Sequence, residues 1–375
     1  MLLELVGTDS RTDNHDGVNA LGRTIERHLM VSGLRVSAFV TGVSGQHLLA
    51  RTRTREGNRL LLLGHLDTVQ GPDEGRRTGI DPENDERLLG PGITDMKGGL
   101  VVMLAAVRVL AELDLLADRA LTIVCTADEE QGSRSGHDVV AMEAAEQHLT
   151  LVFETGSPIA AGRSTFVTER KGFGRATLHV EGREAHAGVK KEEGVSAALE
   201  MAHKVIALEA LNDPAKGISV NVGVARAGTA GNVVPGRAQL EIDWRFRSAE
   251  DGEDLEERIH AICTRVDTGS TTGAGKPKLR YEPGPRALPM PRSEAVARMA
   301  ERIRRAGADL GLELEEEFRG GGSDGNVAAA AGCPVVDGLG TVGAEIHSDR
   351  EWMERRSLVD RAALLAVTML RFWKL

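Results

Sequence analysis

The sequence predicts an α/β protein with an α+β domain inserted into it, on three observations. Residues 60–64 read LLLLG, an uninterrupted apolar run of strand length, and similar runs follow at 121–126 (LTIVCT) and 149–153 (LTLVF). Such runs suit strands buried on both faces of a parallel sheet. From about residue 166 the pattern changes: 172–182 and 234–247 alternate apolar and polar residues, as strands with one wet face do. Past 277 the first pattern returns, with an amphipathic helix at 294–311 and a buried strand at 334–339. The expected domains are 1–165 and 277–375 as two parts of one α/β body, with 166–276 as the insertion.

Length and composition agree. At about 150 residues per domain, 375 residues make about two domains. Hydrophobic residues are 41% and aromatics 3%, so the cores are aliphatic and the chain is not globally disordered. A net charge of −10 disfavours nucleic acid or an anionic membrane as partner, since both need basic patches. Cys125, Cys263 and Cys333 are odd in number and far apart. They read as buried thiols in a reducing compartment. The apolar start of the chain is too short for a signal peptide, and no apolar run reaches membrane-spanning length. A soluble cytoplasmic protein is expected.

Taken in order, 1–6 reads as the end of a helix and 17–29 as a whole one, with Leu21, Ile25 and Leu29 on one face. Strands follow at 37–40, 47–51 and 60–64. The polar stretch 71–90 is a loop or edge hairpin. A glycine-rich turn at 90–99 (GPGITDMKGG) carries Asp95 into a helix at 100–116 that is apolar nearly all round, hence buried. The strand at 121–126 runs into Asp128, Glu129 and Glu130, and that at 149–153 into Glu154. From 172 on, strands at 172–182, 218–225, 234–247 and 278–282 and helices at 195–208 and 248–266 follow a β-α-β-β-α-β order, which is ferredoxin-like. Ser248 and Asp251 suggest a capping box, and 268–277 is a Gly/Thr/Ser linker. Then come a glycine turn at 320–325 (GGGSDG), a small-residue helix at 327–331, the strand at 334–339 leading to His347, and a closing helix at 358–372.

Three buried strands thus each end in carboxylates or a histidine. His65 and Asp67 form a His-x-Asp pair at the carboxyl end of the first, the edge where open α/β sheets bind ligands. Alone, the pair fits a hydrogen-bonded loop histidine as well as a metal ligand. With Asp95, Glu129, Glu130, Glu154 and His347 added, the set holds two imidazoles, several acids and no thiolate. That is the mixture of catalytic rather than structural zinc sites, with acids enough for two bridged divalent ions. GGGSDG lacks the Lys-Ser/Thr of a phosphate-binding loop.

The segments GHLDTV, GPGITDMKGG, TADEEQGS, VFETG, RKGFGRATLHVEGREAHAG, GNVVPGRAQLEIDWRF, GGGSDGN and EIHS occur in one order along almost the whole chain. They resemble the dinuclear-zinc peptidase and aminoacylase family that includes acetylornithine deacetylase and succinyl-diaminopimelate desuccinylase, and within it the glutamate carboxypeptidases. The N-terminal helix is shorter than the family pattern. The resemblance implies a zinc-exopeptidase-like mixed sheet flanked by helices, with a ferredoxin-like insertion acting as dimerisation and lid domain. It implies two Zn²⁺ per subunit, Co²⁺ or Mn²⁺ being alternatives. His65 and Glu154 would complete one ion and Glu130 and His347 the other, with Asp95 bridging, Asp67 orienting His65, and a cis peptide after Asp95. Glu129 would be the general base acting on a zinc-bridging hydroxide. His186 would reach into the partner's site of a homodimer. Asn232, Arg245, Arg286 and the loop Gly321, Gly322 and Ser323 would contact substrate. The activity implied is release of a C-terminal amino acid from a small peptide. Alternatives are removal of an acyl group from an N-acyl amino acid and, remotely, a metal-free peptide-binding relative.

Overall fold

Leu60–His65 lies inside a six-stranded sheet in a computed structural model of the protein, which describes residues 1–72, 78–160, 163–268 and 275–374. The strand order is Arg35–Phe39, His47–Arg51, Leu121–Thr126, Leu60–His65, Leu149–Val152, Val335–Val336. The last four run parallel and the first two antiparallel, so the sheet is mixed. Leu60 and Leu62 pack into one apolar cluster with Leu100, Val107 and Met369. Leu61 and Leu63 pack into another, on the opposite face, with Val140, Val327 and Ala328. The run of four leucines is therefore explained by burial on both sides. The helix Gly98–Glu112 is sheathed in side chains for most of its circumference.

Two compact units are present: Met1–Arg170, Met290–Arg319 and Ser323–Leu375 form the first; Lys171–Pro289 and Gly320–Gly322 form the second. These limits differ from the expected 166 and 276 because of two strands. Arg163–Arg170 pairs in parallel with Glu313–Arg319, so the chain leaves the first unit only after it. Lys278–Ala287 is an outer strand of the inserted sheet, so the chain returns only after that. Most of the expected linker at 268–277 lies outside the described residues. In the first unit, Gly343–Ala344 and Trp352–Glu354 add to the hairpin Gly79–Asp81 and Asn84–Leu89, so 71–90 does contain an edge hairpin.

The second unit is a four-stranded antiparallel sheet, ordered Ser219–Ala227, Arg237–Phe246, Gly172–Glu181, Lys278–Ala287. The helices Ala197–Glu209 and Ala249–Thr264 complete the ferredoxin-like order. Ala238, Leu240, Ile242, Trp244 and Phe246 form one buried row, as the alternation predicts. Gly174 faces that row: a Cβ there would stand 2.3 Å from the Trp244 ring. Ser248 caps the second helix by accepting the Asp251 N–H, and its hydroxyl donates to the Asp251 carboxylate at 2.6 Å. All three cysteines are buried and free. Among the described residues no helix is long and apolar enough to cross a membrane.

Candidate metal centre

Register brings the strand ends level. His65 pairs with Thr126, and Leu63 with Val152, so the turn Glu129–Gln131 and Glu154 follow at the same edge as His65. Asp95 arrives in the π-helical turn Ile93–Lys97, and its peptide bond to Met96 is cis, as the resemblance implies. His347 lies between two short strands with φ of 60°, a left-handed backbone uncommon outside glycine and worth a functional explanation. Gln70 Nε2 donates to its carbonyl at 2.9 Å.

The Asp95 carboxylate stands between the two imidazoles. Its Oδ1 is 3.4 Å from His65 Nε2, and its Oδ2 is 3.2 Å from His347 Nε2. Glu154 Oε1 is 3.6 Å from His65 Nε2, and Glu130 Oε2 is 3.2 Å from His347 Nε2. His65, Asp95 and Glu130 form one set of donors within 4.8 Å of one another, and His65, Glu129 and Glu154 a second. His65 Nε2, Asp95 Oδ1 and Glu130 Oε1 are buried without a hydrogen-bond partner. Orphaned buried donors and acceptors are rare and call for an explanation such as an ion. The spacing supplies one: tetrahedral bonds of about 2.0–2.1 Å set neighbouring donors about 3.3 Å apart. These residues fit a metal pair.

A surrounding layer fixes the ligands. His65 Nδ1 lies 2.9 Å from the Asp67 carbonyl oxygen, which can only accept, so Nδ1 carries the proton and Nε2 is left for a ligand. The Asp67 carboxylate, 0% exposed, is a further 3.4 Å from that nitrogen and has a second task. Its oxygens accept the backbone N–H groups of Glu129 and Glu130, each at 3.1 Å, and the Thr12 hydroxyl at 2.8 Å. Asp67 therefore positions the two glutamates as well as the histidine. Asp128 ties down the next loop through Ser135 and Gly136. Asp324 accepts from the Thr126 hydroxyl at 2.6 Å and from Ser133.

The profile of peptidase family M20/M25/M40 matches residues 61–371. The chain belongs to this family. Carboxypeptidase G2 of Pseudomonas sp. (strain RS-16) is 30% identical to this M20/M25/M40 member over 376 residues, covering 98% of this chain and 87% of the relative. Succinyl-diaminopimelate desuccinylase of Cupriavidus taiwanensis is 28% identical, over 94% and 93%. The crystal structure of aminopeptidase PepT from Bacillus cereus shares the fold, with a TM-score of 0.76 at 23% identity over 99% and 96%. This M20/M25/M40 chain is thus a metallopeptidase or amidohydrolase, hydrolysing amide or peptide bonds with the help of metal.

Electrostatics at the centre of this M20/M25/M40 chain is what unpaired buried charge produces. Burial, then neighbouring acids, pushes the Glu129 and Glu154 carboxyls well above their ordinary range, and Glu130 also upward. His65 is raised although burial opposes it, because the Asp67 and Asp95 carboxylates favour its cation. Asp95 and then Glu130 raise His347 to about 10. Asp95 is held down despite burial, by His347 and His65.

The remaining expected residues of this M20/M25/M40 chain need separate treatment. His186 and Asn232 lie in the second unit; His186 forms a backbone bridge with Val233, and the Ala187 N–H donates to the Asn232 carbonyl at 2.9 Å. Arg245 opposes Phe173 in the sheet and makes a two-pronged pair with Asp243, 2.8 Å in each bond. Arg286 opposes Gly174, whose other neighbour is the buried Trp244, and its Nε pairs with Glu256 of the helix Ala249–Thr264 at 3.1 Å. Opposed residues share a face, so Arg245 and Arg286 stand on opposite faces of the sheet. Arg286 thus lies on the helix-covered face. Gly321 and Gly322 fall in the second unit and Ser323 in the first. Ser323 caps the helix Asp324–Ala330; its hydroxyl donates to Asp337 at 2.7 Å and its N–H to Asn326 at 3.0 Å. Glycine-rich sequence suggested a ligand loop, but Ser-Asp-Gly-Asn there is equally a helix start.

Proposed function

We propose that the chain is a dinuclear zinc exopeptidase that releases a C-terminal amino acid bearing a free carboxylate, as a glutamate carboxypeptidase does. The observation that carries this is Asp95, whose two oxygens face different imidazoles. His65 and Glu154 would hold one ion, His347 and Glu130 the other, and Asp95 both. Imidazole mixed with carboxylate is the donor set of catalytic zinc sites, and cobalt or manganese would be accepted by the same donors. Ions bound there supply Lewis acidity toward the scissile carbonyl and make water acidic enough to attack at neutral pH. Glu129 is the general base. Its backbone is fixed by Asp67, and from there it would accept the water's proton and donate it to the leaving amine. Arg245, Asn232 and the N–H groups of Gly321 and Gly322 bind the substrate carboxylate. His186, exposed and braced beside Asn232, serves the partner's site in a homodimer. Likeness to a desuccinylase favours a second reading with the same chemistry, N-acyl amino acid deacylation.

Elemental analysis and a substrate panel test this together. Two zinc ions per chain are expected, with faster turnover of aroyl-glutamates and dipeptides than of N-acetyl amino acids; the reverse preference selects the deacylase. Glu129→Ala should keep both ions and lose about 10²–10⁴ in kcat. Undiminished turnover in that variant would remove Glu129 from the mechanism, and indifference to chelation would remove the metal.

A further inference from the structure

Four residues beyond His347, the Glu351 side chain turns inward and is 4% exposed. It faces backbone. Its Oε2 accepts the Gly92 N–H at 2.7 Å, and its Oε1 accepts the N–H groups of Thr94 at 2.8 Å and Asp95 at 3.0 Å. One carboxylate thus gathers three N–H groups of the turn that bears the shared Asp95, from 256 residues away in sequence. Gly92 makes the approach possible: its φ is 65°, and a Cβ there would stand 2.3 Å from a Thr68 methyl. The same segment presents His347 to Asp95 Oδ2.

We infer that Glu351 is a positioning residue for the metal pair: it fixes the backbone of Asp95 so that one carboxylate serves both ions, and it ties that turn to the segment carrying His347. This rests on the metal reading above. Because it acts through the shared ligand, its loss should weaken both ions together. Outer groups that orient metal ligands typically contribute 10–100-fold in metal affinity. Glu351→Gln keeps an oxygen for Thr94 and Asp95 but sets an amide N–H₂ against the Gly92 N–H, so it should fold and be impaired; Glu351→Ala leaves all three donors buried without an acceptor.

The test is a zinc titration against a competing chelator, with the absorption spectrum of the cobalt-loaded protein and far-UV circular dichroism. Met353→Ala, a buried apolar truncation in the adjoining strand, serves as a matched destabilised control. The expected result is that wild type binds two equivalents, Glu351→Gln folds and binds both about 10-fold or more weakly with an altered cobalt spectrum, and Met353→Ala binds like wild type. Wild-type affinity and spectrum in Glu351→Gln would overturn the inference, as would an equal loss in Met353→Ala. Failure of wild type itself to bind two equivalents would instead overturn the metal reading on which the inference stands.

Discussion

Charge at the strand ends of the first unit is arranged oppositely to that in the second. At the strand ends of the first, His65, Asp95 and Glu130 are buried with atoms left unpartnered. In the second, Arg245 closes on Asp243, Arg286 on Glu256, and even the fully buried Lys204 lies 2.9 Å from Glu200 and 2.7 Å from Asp267. Burial of charge is therefore common to both units, as Arg170 on Asp337 at 2.7 Å in the first also shows, and incompleteness marks the strand-end cluster. A buried ion that is fully paired needs nothing more from outside, whereas buried carboxylates and imidazoles facing one another without partners call for a cation.

The strongest way to break that comparison is to remove one group from each side. Asp95→Ala should abolish binding of both ions, measured by elemental analysis, and bring turnover to background. Lys204→Met should leave both ions in place while destabilising the protein by about 1.5–3 kcal/mol, because Glu200 loses its ion-pair partner but keeps the N–H groups of Asp267 and Thr268. Loss of metal from Lys204→Met would show that paired and unpaired clusters are not functionally distinct.

Next in size is the response to pH. Glu129, Glu130 and Glu154 have proton affinities raised above the ordinary 4.5, and His65 and His347 above 6.5. Each holds its proton more tightly when folded, so each contributes stability that is complete below those ordinary values and is lost as pH rises, through about 10 for His347. Asp95, lowered, acts in the other sense, and its contribution is lost only as pH falls through the acid range below 3.8. The metal-stripped protein should therefore lose thermal stability between about pH 5 and 8, and saturating zinc should remove the trend, since ions replace those protons. A stripped protein whose Tm rises over that range would contradict the unpaired-charge account.

The junctions of apolar strand and charge were legible in sequence because burial on both faces writes a continuous hydrophobic run, and ligands at the sheet edge must follow it. The row from Ala238 to Phe246 was legible for the complementary reason: one wet face writes strict alternation. The strand Glu313–Arg319, reading ELEEEFR, escaped because it is mostly polar and forms by pairing with Arg163–Arg170 far along the chain. The short strands around His347 carry too few residues for any period. Thr12, Asp324 and Glu351 touch the ligands or their turns across 55 to 259 residues, and an isolated threonine or acid writes no pattern. Arg286 resembled Arg245 as an arginine in a strand; register with Gly174, beside a bulge, decides its face.

That register gives the smallest effect and the sharpest separation. Arg245 is partly exposed and already paired with Asp243, so Arg245→Ala should change stability by no more than about 1 kcal/mol. If its guanidinium also receives the substrate carboxylate, KM should rise about 10–100-fold, matching about 1.5–3 kcal/mol for a hydrogen bond to a charged group, while kcat holds. Arg286→Ala, on the helix-covered face, should leave KM unchanged and lose only its pairing with Glu256. Steady-state kinetics on the preferred substrate decides between them. Equal KM in wild type and Arg245→Ala would make Arg245 one more paired surface arginine, and a raised KM in Arg286→Ala alone would show that the substrate is read from the face assigned here to the helix.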